Sequence, residues 1–90
     1  MRAQYMTCFA LANELGTPRL GIAASQKIGN AVVRNRTKRL IRELFRVHKP
    51  LKAIDIVVIP RREMAEAPWR NLEADYCGAL RRLEKGSRGL

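Results

Sequence analysis

Residues 30 to 48 leave little choice of local structure. At about 100° per residue, Val33, Thr37, Leu40, Ile41, Leu44, Phe45 and His48 fall on one continuous stripe. A stripe that wide belongs to an amphipathic helix lying against an apolar partner. Asn30 is placed to cap its start, and Pro50 ends it. The remaining sequence must therefore supply a surface for that stripe, and 90 residues allow one small core.

The adjoining side of the same helix carries Arg34, Asn35, Lys38, Arg39, Arg42 and Arg46, with Arg36 further round. From Lys27 to Lys52 there are nine basic residues and one acid, Glu43, so this stretch holds +8 of the chain's net +10. Solvated helix faces usually alternate sign at i, i+4, whereas Arg34, Lys38, Arg42 and Arg46 follow one another with like charge. Each such pair repels by roughly a few tenths of a kcal/mol. Tolerated repulsion of this kind points to a polyanionic partner, whose counterions are released on binding. Five of the six helix cations are Arg, whose planar fork suits phosphate and can stack on bases, as structured RNA requires. Asn35 lies in the ridge, either as a donor to a base edge or 2′-hydroxyl or as an ordinary surface amide. A hydrophobic share of 47% is that of a folded domain, which excludes a disordered basic tail.

Three segments read as strands. Tyr5–Ala12 is β-branched, aromatic and apolar; Arg19–Ser25 alternates, with Leu20, Ile22 and Ala24 on one side and Arg19, Gly21, Ala23 and Ser25 on the other. Ile54–Ile59 is a nearly continuous apolar run ending at Pro60, the pattern of a buried strand. Gly16 and Pro18 mark a turn, and residues 61–68 form a connection. From Pro68, the residues Trp69, Leu72, Tyr76, Ala79, Leu80 and Leu83 recur at helical spacing, followed by a flexible tail at 86–89. The order β-β-α-β-α predicts a single RNA-binding domain over 1–90, an α+β two-layer sandwich with helices packed on a mixed sheet.

Several function classes are disfavoured. No apolar run is long enough to span a membrane, and no signal peptide is apparent. Cys8 and Cys77 read as reduced core thiols of a cytoplasmic protein, and His48 alone makes no zinc site. The acids are scattered, with no paired carboxylates, no nucleophile–His arrangement and no phosphate-binding glycine loop, so no catalytic residue is expected. His48 reads as a helix-end residue near the C-terminal dipole. A DNA-binding helix-turn-helix would need a helix where strand precedes Gly29. A membrane-surface helix would be freed from the sheet that Ile54–Ile59 implies.

The run from Ser25 to Arg46 resembles the protein component of bacterial ribonuclease P. Arg34-Asn35-Arg36, then Lys38-Arg39, then Arg42-Glu43-x-Phe45-Arg46 match that family's signature, and the likeness extends from about Tyr5 to Leu83. The resemblance implies a fold like a domain of ribosomal protein S5, with a left-handed β-α-β crossover that the general right-handed rule would miss. It also implies a protein that binds the catalytic RNA subunit and assists endonucleolytic removal of the 5′ leader from precursor tRNA. Mg²⁺ would then be held by the RNA, with no cofactor on the protein alone, no membrane and no protein partner required. By position, Arg34, Asn35, Arg36, Lys38, Arg39, Arg42 and Arg46 would face that RNA, and Lys27, Gly29 and Asn30 match the loop leading into the motif. The alternative is a ribosomal or other structural RNA-binding protein with no processing role.

Two departures stand out. Gln26 occupies a position commonly basic in the family. The family also begins with a further basic helix and a first strand, so Met1 reads as a shortened chain or a late-assigned start. In family terms a leader cleft would lie on the open sheet face, with Tyr5, Phe9, Arg19 and Ser25 as candidates. Tyr5 and Phe9 share one strand face, where they either stack on bases or pack into the core, and the core is the preferred reading.

Overall fold

The computed structural model describes residues 3–50 and 53–85. Met1, Lys52 and the 86–89 tail read from the sequence lie outside the described residues. Three strands, β1 (Met6–Ala12), β2 (Arg19–Ile22) and β3 (Ile54–Pro60), and two helices, α1 (Ala31–Val47) and α2 (Trp69–Lys85), follow in the predicted order. Short 3-10 helices at Gln26–Ile28 and Arg62–Glu66 are added.

The sheet order is β1-β3-β2. The most apolar strand, β3, thus lies in the middle, where neighbours satisfy both its hydrogen-bonding edges. β1 pairs with it antiparallel, Cys8 opposite Val58. β2 pairs with it parallel, Ile22 opposite Val58. The sheet is therefore mixed, and α1 is the crossover between the adjacent parallel strands β2 and β3.

Both helices pack on one face of this sheet. Ile41 and Leu44 from α1 and Leu72, Tyr76 and Ala79 from α2 meet Met6, Cys8, Ile56 and Val58 in one core cluster. Each large side chain buried there contributes about 1.5–3 kcal/mol. Thr37 shares the apolar stripe and is also buried, with its hydroxyl donating to the Val33 carbonyl at 2.9 Å. The two cysteines fit this picture unequally: Cys8 is buried in the core and Cys77 half-buried.

Three expectations need correction. The second strand ends at Ile22 rather than Ser25, because Ser25 caps the 3-10 helix that leads into α1. The 61–68 connection is partly helical and inserts Met64, which is fully buried, into the core. β3 is not buried on both faces: Ile54, Ile56 and Val58 are covered, while Ile59 is 39% exposed. With two layers only, one side of the sheet is covered by none of the described elements.

Long-range polar contacts fix the chain ends of the sheet. The Asp75 carboxylate on α2 accepts the backbone N–H groups of Gln4 and Tyr5, both at 2.9 Å. Asn13 holds the β1–β2 turn: its amide donates to Thr17 and to Asp55, and its oxygen accepts from Leu15. His48 at the end of α1 meets Glu73 of α2 at 2.8 Å, which ties the two helices together.

Candidate nucleic-acid interface

The basic helix begins in a tightly specified loop. Ser25 Oγ accepts from the Lys27 N–H, and Asn30 Oδ1 accepts from the Val33 N–H at 3.0 Å, so each short segment has its N-cap. Between them Gly29 sits at φ 143°, and a Cβ there would lie 2.9 Å from Val33 carbons. Only glycine fits, on both counts. Its carbonyl accepts from Arg34 Nη1 at 3.1 Å, and the Lys27 carbonyl accepts from Arg62 Nη2 at 3.1 Å. Lys27, Gly29 and Asn30 are thus brought beside the start of the cationic ridge. Asn30 and Gly29 shape the loop, and the Lys27 side chain is exposed.

Along α1 the cations divide by burial. Arg34 and Lys38 lie half-buried on one flank; Asn35, Arg36, Arg39, Arg42 and Arg46 are exposed on the crest. Arg46 is paired with Glu43, Nε donating to Oε2 at 3.2 Å, with a second contact from Nη2 to Oε1. That pairing, chiefly through the hydrogen bond, holds the Glu43 carboxyl below its ordinary range and raises the Arg46 guanidinium. Arg36, Lys38, Arg39 and Arg42 make no hydrogen bond or ion pair with another described residue. Asn35, Arg36 and Arg39 line an open hollow together with Val32. Three acids elsewhere are engaged structurally: Asp55 with Arg19, Asp75 with backbone, Glu73 with His48. Among the described residues no group of three or more His, Cys, Asp or Glu is arranged to hold a metal ion. No helix among them is long and apolar enough to cross a membrane.

The four leader-cleft candidates fare differently. Phe9 lies on the open sheet face, 50% exposed, in one row with Val57 and Gly21. The preferred core reading for Phe9 is therefore wrong, because the β1–β3 register turns Met6 and Cys8 inward instead. Tyr5 is half-buried at the margin of the core, with its hydroxyl 3.5 Å from the Asn71 amide. Arg19 is on the open face, but its guanidinium grips Asp55 in a two-pronged pair, Nε to Oδ1 at 2.8 Å and Nη2 to Oδ2 at 2.6 Å. Arg19, then Asn13, pulls the Asp55 carboxyl down to about 2, so Arg19 has its countercharge at neutral pH. Ser25 is spent on its cap and does not lie in the strand.

Other open-face residues escaped the sequence reading. Leu11 is 64% exposed, and Val57 and Ile59 continue the apolar surface. Arg61 reaches across its margin, Nη2 donating to Thr7 Oγ1 at 3.2 Å. The odd-numbered residues of β1 and β3 carry this face, a period-2 signal visible in sequence only once the register is known.

The comparisons with known proteins agree with this geometry. The family model described as Ribonuclease P matches residues 1–84. A ribonuclease P protein component from Syntrophus aciditrophicus is 44% identical over 79 residues, covering 86% of this chain and 63% of the relative. One from Chromohalobacter salexigens is 44% identical over 81 residues, covering 88% and 63%. The alignments span about half to two thirds of the length of these curated relatives. Among solved structures, the RNase P protein from Thermotoga maritima aligns with a TM-score of 0.83 at 32% identity, over 91% of this chain and 80% of that one. The RNase P protein of Staphylococcus aureus gives 0.79 at 34% identity, over 91% and 77%.

Proposed function

Because the chain belongs to the ribonuclease P protein family, we propose that it works as the protein subunit of a cytoplasmic ribonuclease P. In this reading α1 docks on the catalytic RNA, and the complex removes the 5′ leader from precursor tRNA. The observation that carries the proposal is the crest of α1, where Arg36, Arg39 and Arg42 are exposed and held at fixed spacing with no countercharge among the described residues. Such an array loses little order on binding and gains from each phosphate it neutralises.

The chemistry would belong to the RNA and its Mg²⁺ ions. Four of the eight acids of the protein, Asp55, Glu43, Glu73 and Asp75, are engaged with Arg19, Arg46, His48 and backbone amides. The share of the protein is positional: charge neutralisation where RNA strands meet, and an apolar platform on the sheet for the leader. Phe9 offers a ring face for a base there, and Arg61 a cation at the edge.

The test is reconstitution with a bacterial ribonuclease P RNA and a precursor tRNA at low Mg²⁺. Leader cleavage should rise at least tenfold over RNA alone, since cations of the protein substitute for part of the ionic screening. An unchanged cleavage rate would overturn the proposal.

A further inference from the structure

Val32 is the most exposed large apolar side chain among the described residues, at 75%. It stands in the most polar part of the molecule, with Asn35, Arg36 and Arg39 around the same hollow. Its neighbour Val33 has a structural task, packing over Gly29 and carrying the N–H that Asn30 caps. Val32 has none: it is outside the core cluster, and a β-branched residue is a poor choice for an exposed helix position.

A partner that offered only phosphates would gain nothing from two methyl groups among its cations. A nucleotide offers both kinds of surface, an anionic phosphate and the apolar faces of base and ribose. We propose that Val32 is an RNA-contacting residue that seats one nucleotide of the partner RNA. The Val32 methyls pack on the sugar or base, Arg36 and Arg39 hold the flanking phosphates, and the Asn35 amide bonds a polar edge. This rests on the RNA-docking role of α1 and deepens it: one point on the crest reads the nucleotide rather than its charge.

The experiment measures affinity of the full chain for the ribonuclease P RNA at several salt concentrations. Val32→Ala removes both methyls, Val32→Thr keeps the shape and replaces one with hydroxyl, and Arg36→Ala is the comparison. Both Val32 variants should bind about three- to tenfold more weakly, the loss of a partly buried valine contact. Their salt dependence should match the wild type, whereas Arg36→Ala should lower its slope by about one phosphate contact. Thermal unfolding should be unchanged or slightly raised for Val32→Ala, since that side chain is outside the core cluster and Ala favours an exposed helix position. Wild-type affinity in both Val32 variants, with Arg36→Ala weakened, overturns this proposal and leaves α1 docking in place. Wild-type affinity in all three removes the docking reading as well. A lowered slope in the Val32 variants, or a change in self-association by sedimentation instead of in RNA affinity, also overturns it.

Discussion

The crest of α1 and the open face of the sheet are built on opposite principles. On the crest, like charges stand a helical turn apart, and among the described residues only Arg46 has a carboxylate partner. On the sheet, Phe9, Leu11, Val57 and Ile59 are apolar, and the cation in their midst, Arg19, is neutralised by Asp55. One surface points out of the helix layer and the other out of the sheet layer. The crest can hold a polyanion from any side that presents phosphates, with strong dependence on salt. The centre of the sheet face has little net attraction for phosphate, with Arg61 a cation at its edge, and suits flat, apolar groups such as unstacked bases. A protein carrying both can grip structured RNA by its backbone and a single strand by its bases.

The largest expected effect separates the two surfaces by charge. Arg36→Ala with Arg39→Ala should weaken binding to the catalytic RNA by about 10- to 100-fold and lower the salt slope by about 1.5. Filter binding across a salt series measures both, and an unchanged slope would place the docking surface elsewhere.

Phe9→Ala probes the other side. It should weaken binding of precursor tRNA to the reconstituted complex by about tenfold in a leader-dependent way, the scale of one lost stacking contact. Binding of tRNA without a leader, and the salt slope, should stay as they are. Equal losses with and without the leader would show that the sheet face serves the fold or the tRNA body instead.

The smallest effect is a gain. Glu43→Gln releases Arg46 from its one partner among the described residues, at little cost in stability because exposed ion pairs contribute little. RNA affinity should rise by about two- to threefold with a slightly steeper salt dependence. A loss of affinity would mean that Glu43 orients Arg46 for its contact rather than competing for it.

The sequence alone determined the order of elements, the limits of α1 to within a residue at each end, and its cationic face. These rest on local signals: a 3.6-residue period, an Asn cap and a proline stop act within a few positions of one another. The glycine at position 29 belongs to the same class, since Val33 four residues on dictates it.

Tertiary structure decided which face of β1 is inside. That strand is apolar in both phases, Met6, Cys8 and Ala10 against Tyr5, Phe9 and Leu11, so a period of two could not choose between them. Pairing with β3 and the placing of both helices on one side made the choice, and with it turned Phe9 outward. The same non-local packing brought Asp55 to Arg19, 36 residues earlier, and Asp75 to the Tyr5 backbone, 70 residues away. Charge along a helix is fixed by its spacing, whereas the face of a strand depends on what is packed against it, and that is a property of the whole chain.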